Sequence, residues 1–455
     1  MLELHVHGGN AVVKAVLAAI CGAVLSKQLL VRYAEPGEFT QRAFRNGRLD
    51  LTEVEALGDT LAAETEQQRR LAVRGASNAL GERYDFWRQK LLYARGELEA
   101  LIDFSEDQQF DDPPEVLYQS VVNQVKLLNE LLQISIRNAV RGELLRNGIN
   151  IALIGAPNAG KSSLLNRIVN REAAIVSREA GTTRDVVEVG VDIGGYYCRF
   201  GDLAGLRRAS SEDATSPISE IEVEGMRRAK QRAANADVIV VVLSVEPDSG
   251  SKANSFTVNV NPEVAQTLRT IDTGRQDVLY VVNKSDLLPN KAVRATVHNK
   301  INDYLALRGL PASINPVFMI SCRHNSEARP DTEYNGAIQT FLQGLTTTFQ
   351  GKTSAILPQT AAVPGHSYGD QTWAESLGAS ERHRLLLQQC VSHLKKFLNG
   401  ITGTQGEQSS AVEGAETDVV LAAEHLRGAA ECLSKITGKG EAGDVEEVLG
   451  VVFEK

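Results

Sequence analysis

The segment from Gly148 to Leu165, GINIALIGAPNAGKSSLL, constrains the fold of this chain more than any other. An apolar run ends at Gly155, and a helical pattern starts after Gly160, which gives the spacing G-x-x-x-x-G-K-S. In this spacing a loop rich in glycine turns its backbone N–H groups towards phosphates, and the helix that follows points its positive end at the same anion. The segment therefore predicts a strand, a phosphate-binding loop and a helix within an α/β domain.

Side chains of this loop indicate a nucleoside triphosphate that binds together with metal ions. Lys161 is placed to reach the β- and γ-phosphate oxygens, and the Ser162 hydroxyl is placed to hold Mg²⁺. Asn158 offers a side-chain carbonyl that could ligate a monovalent cation beside the phosphates. The predicted nucleotide contacts in this loop are Gly155, Asn158, Ala159, Gly160, Lys161, Ser162 and Ser163.

Four further motifs follow in the order that a guanine-nucleotide switch requires. Gly181-Thr182-Thr183-Arg184-Asp185 offers a threonine hydroxyl for Mg²⁺, and Asp202-Leu203-Ala204-Gly205 offers a carboxylate for the metal and a backbone N–H for the γ-phosphate. Asn283-Lys284-Ser285-Asp286 ends an apolar strand with a carboxylate that can accept two hydrogen bonds from guanine, which adenine cannot offer. Ser321-Cys322-Arg323 places a backbone N–H near the base carbonyl. Because ligands bind at the carboxyl ends of parallel strands, where all these motifs fall, the chain is predicted to bind GTP.

The residue that would activate water differs from the one in Ras-like enzymes, which use a glutamine directly after the D-x-x-G glycine and an arginine finger. The corresponding residue here is Leu206, which cannot polarise water. We expect a carboxylate beyond Gly205 to position the water and a cation held by Asn158 to supply the missing charge. The nearby carboxylates are Glu220, Glu222 and Glu224, for which a solvated acidic run before a helix is the alternative.

Composition restricts the classes of protein to which the chain can belong. A net charge of −9 over 455 residues argues against a globally basic nucleic-acid-binding surface, although a local basic patch remains compatible with it. The five cysteines are scattered without a C-x-x-C pair, which suits a reducing compartment and gives no zinc-site spacing. No apolar run is long enough to span a membrane, and the N-terminus shows no secretory or transit signal.

The pattern along the chain predicts four parts. Residues 1–50 alternate and then turn helical, as in a small α/β piece, and residues 51–147 are helical. Residues 148–350 alternate strands and helices as in a Ras-like G domain, and residues 351–455 return to helices. The predicted fold is thus an α/β P-loop GTPase domain inserted into an all-α helical domain, whose halves lie on both sides of it in sequence.

Individual elements are predicted from hydrophobic period and from turn residues. The predicted strands are 2–7, 31–33, 149–154, 187–193, 196–201, 237–244, 277–283 and 315–320, with a hairpin turn at Gly194-Gly195. The predicted helices are 11–25, 52–81, 82–102, 115–141, 380–400, 416–437 and 444–453. Segments 246–262 and 351–380 are predicted to be surface loops or linkers.

The chain resembles the MnmE/TrmE tRNA-modification GTPases over nearly its whole length. Two segments, PGEFTQRAF (36–44) and AGTTRD (180–185), are especially specific to that family in this order. The other matching segments are HVHGG (5–9), RNGRLDLTEVEAL (45–57), IDFSED (102–107), LLRNGINIALIGAPNAGKSSLLN (144–166), DLAGLR (202–207), NKSD (283–286), ERHRLLLQQC (381–390) and LSKITGKGEAGDVEEVLGVVF (433–453).

The resemblance implies a fold and a set of roles. It implies that residues 1–50 are part of an α/β folate-binding domain, and that the G domains of two subunits meet across a potassium ion when GTP is bound. By motif match Asn158 would ligate potassium, Thr182 and Thr183 would belong to the switch and potassium-binding loop, and Glu222 would be the catalytic glutamate. Ser162, Thr183 and Asp202 would hold Mg²⁺.

The resemblance also implies cofactors, partners and a location. The expected activity, with an FAD-dependent partner of the MnmG type, modifies C5 of the wobble uridine of certain tRNAs, and 5-formyl- or methylene-tetrahydrofolate would be the one-carbon source. We expect a homodimer without a membrane span. The polar insertions favour a mitochondrial member, and a cytoplasmic location applies if the chain is bacterial.

Three departures from the family pattern qualify these expectations. The first tens of residues of the folate domain are absent, which predicts a truncated chain or impaired folate binding. The family's short tail with a cysteine does not follow Phe453, so we expect GTP hydrolysis without completed tRNA modification. The sequence D-L-A-G replaces D-T-A-G, but Asp202 and Gly205 remain. Two alternative functions stay open: a GTP-regulated RNA-binding switch for ribosome assembly, and a GTP-binding scaffold without modification activity.

Overall fold

The computed structural model describes residues 3–22, 31–76, 78–103, 114–169, 174–178, 189–201, 231–247, 256–258, 260–288, 291–312, 316–323, 332–358, 370–403 and 412–438. The helices before the sheet are α1 (Asn10–Gly22), α2 (Glu38–Arg45), α3 (Leu51–Ala62), α4 (Glu66–Gly75), α5 (Ala79–Asp103) and α6 (Pro114–Asn147). The sheet region contains β1 (Ile149–Ile154), α7 (Lys161–Arg167), β2 (Ala174–Arg178), β3 (Val189–Ile193), β4 (Tyr196–Phe200), β5 (Val238–Pro247), β6 (Phe256–Val258), α8 (Pro262–Arg269), β7 (Asp277–Asn283), α9 (Lys291–Leu307), β8 (Phe318–Met319) and α10 (Thr332–Thr353). The last helices are α11 (Asp370–Glu375), α12 (Glu381–Gly403) and α13 (Val412–Thr437).

A mixed sheet forms the middle of the chain, and its described strands follow the order β2-β3-β4-β1-β5-β7-β8, with β6 paired to β5. Strands β4, β1, β5, β7 and β8 are parallel, and β3 runs antiparallel to its two neighbours β2 and β4. Strand β5 reads VIVVVLSVEP and is buried over its first eight residues, as expected of a parallel strand covered on both faces. One face packs against α7 and α10, and the other against α8 and α9.

Most strand predictions are confirmed, with shifts of a few residues at the ends. The hairpin turn at Gly194 and Gly195 is confirmed, with φ of 61° and 88°, because both positions need the left-handed backbone that glycine adopts freely. The last predicted strand, 315–320, shortens to Phe318–Met319.

Strands β2 and β6 are absent from the predictions. Strand β6 lies within the segment 246–262 that was predicted to be a loop, and it pairs antiparallel with the end of β5. Three residues are too few to show a period of two. The pairing of β2 with β3 shifts register between Ile175 and Ser177, so its sequence does not alternate regularly.

The helical core is built from both ends of the chain. Helices α5 and α6 pack against α12 and α13, and their buried apolar side chains form one cluster that includes Trp87 and Trp373. Residues far apart in sequence therefore share one core, as an inserted G domain requires. The predicted domain boundaries at residues 50, 147 and 350 stay a prediction.

One helix prediction and one loop prediction were wrong in detail. The helix predicted over 52–81 is divided into α3 and α4, because Thr65 starts α4 as its N-cap and its backbone N–H donates to Gln68 Oε1 at 3.0 Å. Segment 351–380, predicted to be a loop, contains α11 and a 3₁₀ turn at Ser376–Gly378. Trp373 of α11 is 1% exposed, so this short helix is held by one buried aromatic side chain.

The two strands predicted in the N-terminal part were wrong. Residues 3–9 and 31–34 do not form strands, because a strand needs a neighbour for its backbone hydrogen bonds and no described residue pairs with them. The helix predicted over 11–25 is present as α1, whose residues are not buried against the rest of the described chain. The helix predicted over 444–453 lies outside the described residues.

Candidate nucleotide site

The phosphate loop lies at the carboxyl end of β1, in the interior of the sheet between β4 and β5. Its backbone needs glycine at both ends. A Cβ atom at Gly155 would collide with the carbonyl oxygen of Val242, and one at Gly160 with the side-chain nitrogen of Asn283. Gly160 also has φ of 97°, and Asn158 has φ of 59°, so the loop turns through the left-handed region twice. In a loop of this kind the backbone N–H groups and the start of the following helix are expected to face the bound phosphates.

Lys161 lies inside the curve of the loop. Its ammonium donates to the carbonyl oxygens of Gly155 and Ala156, both at 2.8 Å. Burial lowers the pKa of Lys161 from its ordinary value. Two neutral carbonyl partners leave the positive charge without a counter-ion among the described residues, and that charge attracts a phosphate. Ser162 is half-buried beside it, and Asn158 and Ser163 are exposed.

Asn283 connects the loops that would contact the phosphates and the base. It is the last residue of β7 and is 3% exposed. Its Nδ2 donates to the carbonyl oxygen of Ala159 at 3.0 Å, and its Oδ1 accepts from the backbone N–H of Cys322 at 3.2 Å. One buried side chain thus fixes the phosphate loop and the loop after β8 relative to β7.

The residues predicted to recognise the base are held by their neighbours. Ser321 Oγ donates to Asp286 Oδ1 at 2.7 Å, and the backbone N–H of Ser285 donates to the carbonyl oxygen of Ile320 at 3.1 Å. Lys284 has φ of 61°, which lets the chain leave β7 and enter the 3₁₀ turn that carries Asp286. The carboxylate therefore stands in one orientation, as selective binding of guanine requires.

Cys322 contributes its backbone rather than its thiol. Burial raises the pKa of the Cys322 thiol to about 11, with a lowering effect from Arg167 and a raising effect from Asp286. The thiol is then protonated at neutral pH and is a poor nucleophile.

The sequence predictions missed one residue near the site and one residue at the opposite edge of the sheet, where β5 and β7 begin. Arg167, at the end of α7, acts electrostatically on Cys322, and only the tertiary structure brings it there. Gln276 donates from its side chain to the carbonyl oxygens of Ala233 and Ala236, at 2.6 and 2.8 Å, and so caps the helical residues 231–235. No motif marks Gln276, because its partners lie some forty residues earlier in the chain.

The rest of the predicted site lies outside the described residues. These positions are Thr182, Thr183, Asp202, Gly205 and Glu222, with the alternatives Glu220 and Glu224. Their roles stay predictions. Within the described part, no three His, Cys, Asp or Glu side chains cluster as a metal site. Of the three residues predicted to hold Mg²⁺, only Ser162 lies among the described residues. Among the described helices, none combines the length and the apolar character of a membrane span.

Comparisons with known proteins cover the chain from end to end. The MnmE helical domain matches residues 51–455, and the N-terminus of the GTP-binding protein TrmE matches residues 1–48. The tRNA modification GTPase MnmE of Paramagnetospirillum magneticum is 36% identical over 454 residues, which are 99% of this chain and 81% of the relative. The mitochondrial 5-taurinomethyluridine-[tRNA] synthase subunit GTPB3 of Rattus norvegicus is 37% identical over 455 residues, covering 100% of this chain and 76% of the relative. The mitochondrial tRNA modification GTPase mss1 of Schizosaccharomyces pombe is 34% identical over 455 residues, covering 100% and 79%.

Proposed function

The chain belongs to the MnmE/TrmE family of tRNA modification GTPases, and from this premise we propose that it is a potassium-activated GTP hydrolase that acts in modification of the wobble uridine of tRNA at C5. It is a GTP hydrolase that acts in tRNA modification, as the names of its relatives indicate. Potassium activation and the uridine position are the finer parts of the proposal.

The observation that carries the proposal is the pair of hydrogen bonds made by Asn283. They hold the phosphate loop and the loop after β8 to one strand end, with the Asp286 carboxylate oriented by Ser321 beside them. A carboxylate fixed in this way accepts from guanine N1–H and the 2-amino group, and the same scaffold holds Lys161 against the triphosphate. One rigid unit then recognises both ends of GTP.

Hydrolysis needs charge neutralisation and an oriented water more than covalent chemistry. Lys161 and the backbone N–H groups of the loop bind the phosphate oxygens. Ser162, Thr183 and Asp202 would hold Mg²⁺, and Asn158 would hold K⁺. When bound, these cations supply positive charge where the phosphate oxygens gain negative charge. Leu206 cannot orient water, so Glu222 would accept a hydrogen bond from the attacking water, while Gly205 would contact the γ-phosphate through its N–H.

The proposal includes partners and a location. We assign tRNA as the substrate of the pathway, an FAD-dependent protein of the MnmG type as the partner, and a second copy of this chain across the G domains. A one-carbon tetrahydrofolate would bind at residues 1–50. Relatives from the rat and the fission yeast are named as mitochondrial, which supports a mitochondrial location over the cytoplasm of a bacterium.

The potassium requirement is tested by GTP turnover in KCl and in NaCl at equal ionic strength, for the wild type and for Asn158→Ala. We expect turnover to fall strongly when sodium replaces potassium, and Asn158→Ala to be slow in both salts. Affinity for a fluorescent GTP analogue controls for binding. Equal turnover in the two salts would contradict the potassium mechanism, and no turnover in either salt would favour the scaffold function.

The water-orienting residue is tested with three matched variants, Glu220→Gln, Glu222→Gln and Glu224→Gln. Loss of a residue that orients the reacting water typically lowers the rate by about 10²–10⁴-fold. We expect a loss of that size only for Glu222→Gln, with an unchanged affinity for GTP. A comparable loss confined to Glu220→Gln or Glu224→Gln would move the role to that residue.

A further inference from the structure

Helices α6 and α12 lie side by side on the surface of the helical core, with a groove of about 440 Å³ between them. The groove belongs to the helical part of the chain, and none of its lining residues is part of a nucleotide motif. Its polar lining comes from both helices and consists of Gln133, Arg137, Gln388, Ser392 and Lys395.

The chemistry of this lining suits a phosphate group. A guanidinium on α6 and an ammonium on α12 supply two positive charges, and two amides and a hydroxyl supply neutral hydrogen-bond donors. Ile136 and Val391 complete the lining, and no carboxylate of the described residues belongs to it. Arginine binds phosphate oxygens in pairs and lysine binds them as a point charge, so the two walls complement each other.

The two cations are not neutralised within the described part of the chain. Neither Arg137 nor Lys395 forms an ion pair with a residue that the structure describes, and both are exposed. By contrast, Arg384, on the same helix as Lys395, does form ion pairs: Glu143 and Glu381 contact it at 2.6 and 3.4 Å. Carboxylates are therefore present at one end of the α6–α12 pair and absent from the groove.

Further cations extend the positive surface. Arg141 lies one turn after Arg137 on α6, where residues four apart share a face, and Lys396 is exposed next to Lys395. The chain as a whole carries a net charge of −9, so this local excess of positive charge stands out against an acidic surface. A local basic patch attracts and orients a polyanion, even when the net charge of the protein is negative.

We propose that the α6–α12 groove binds the phosphodiester backbone of tRNA, with Arg137 and Lys395 each contacting a phosphate. The inference rests on the proposed function, which names tRNA as the substrate. It adds a place for that substrate on the helical core, lined by residues that are not part of the predicted GTP site. Contacts to phosphates position a nucleic acid without reading its sequence, so the groove would serve several tRNAs equally.

The test compares binding of an unmodified tRNA transcript with a wobble uridine to three full-length proteins: the wild type, Arg137→Glu/Lys395→Glu, and Arg269→Glu/Lys300→Glu. The third protein is the matched control, because Arg269 and Lys300 are exposed on α8 and α9 of the G domain and the change in net charge is the same. The dissociation constant is measured as a function of salt concentration. GTP turnover and thermal stability of each variant confirm that the fold and the GTP site are intact.

We expect the groove variant to bind the transcript at least about tenfold more weakly than the control variant does. The slope of log affinity against log salt should also fall by about 1.5, since each phosphate contact contributes about 0.7 to 0.9. Arg137→Lys/Lys395→Arg keeps both charges and should bind like the wild type.

Equal losses in the two charge-reversed variants would show an effect of net charge alone and would overturn the proposal, as would wild-type affinity in the groove variant. A wild type that binds the transcript but turns over GTP equally in both salts contradicts the potassium mechanism and leaves the groove result valid. A wild type that hydrolyses GTP without binding the transcript contradicts the groove and the tRNA assignment together.

Discussion

Asp286 shows how much of the site rests on the orientation of one side chain. Its carboxylate accepts from Ser321 Oγ, and its place in the 3₁₀ turn depends on the left-handed backbone of Lys284. The motif by itself predicts a carboxylate near the base. The structure adds the hydroxyl that holds it, which comes from a loop thirty-five residues later in the chain.

The change Asp286→Asn tests this assignment at the residue scale. The amide oxygen can still accept from guanine N1–H, but the amide NH₂ then faces the 2-amino group, donor against donor, so we expect the affinity for GTP to fall at least about 10²-fold, as for a charge-assisted pair left unmatched. Xanthosine triphosphate, which offers a carbonyl in place of the 2-amino group, should bind the variant better than GTP does. Binding of both nucleotides is measured by titration. Unchanged preference for GTP would remove Asp286 from the base site.

Helix α6 shows what one element does for the arrangement of the parts. It has 34 residues, which gives a length of about 51 Å. One side of it packs in the helical core, and its end leads through Gly148 directly into β1. Gly148 has φ of 91° and lies against the ring of Tyr197 of β4. The end of α6 therefore packs closely against the sheet at this residue. The pattern of apolar residues predicts a helix here but not its partners.

Gly142 of α6 gives a prediction at the element scale. A Cβ atom there would collide with the backbone carbonyl oxygen of Leu377, and backbone cannot move aside cheaply. We expect Gly142→Ala to destabilise the protein by about 1–3 kcal/mol, as overpacking does. Gly96→Ala, in the open middle of α5, is the control and should be neutral or stabilising by up to about 1 kcal/mol. Thermal unfolding measures both, and equal effects would argue against this close packing.

In the molecule as a whole, a buried ionic cluster joins the two halves of the helical core. Glu55 of α3 contacts Arg382 at 2.6 Å and His383 at 2.9 Å, both on α12. Arg382 also donates to the carbonyl oxygens of Lys435 and Ile436 near the end of α13. The cluster therefore connects segments on both sides of the inserted sheet.

The pKa values in this cluster determine how stability depends on pH. Burial opposes ionisation of Glu55, but His383 and Arg382 more than offset it and hold the pKa of the carboxyl well below its ordinary value of 4.5. Burial also lowers the pKa of His383, and Glu55 only partly opposes this. Both groups take up protons more readily in the unfolded chain, so stability is lost as the pH falls, first below about 6.5 and then below about 4.5.

Replacing Glu55 tests the cluster. Glu55→Gln leaves Arg382 without its charge partner, so we expect a loss of about 3–5 kcal/mol at pH 7. The difference from the wild type should shrink below about pH 4.5, where protonation of the unfolded chain removes the contribution of Glu55. Denaturant unfolding is followed by tryptophan fluorescence, since Trp87 and Trp373 both lie in the helical core. Glu66→Gln on exposed α4 is the control and should change little. If the difference in unfolding free energy between the wild type and Glu55→Gln did not change with pH, the assigned role of the ionised Glu55 carboxylate would be contradicted.

The motifs in the sequence predict the candidate nucleotide site, and the hydrophobic pattern predicts most of the strands and the long helices around it. Motif spacing and hydrophobic period are local properties. They can be read from a short segment without knowing which other segments pack against it. Strands β1 and β7, the glycine hairpin and the long helices follow from such local patterns.

Which distant residues meet becomes visible in the folded chain alone. The bridge made by Asn283, the cap made by Gln276, the packing of Gly142 against Leu377 and the cluster around Glu55 each join segments that no local pattern connects. The same holds for the basic groove, whose walls are two helices on opposite sides of the sheet in sequence. Whether two residues far apart in sequence come into contact depends on how whole faces of helices and sheets pack. The packing depends on residues throughout the chain, so no single motif predicts it.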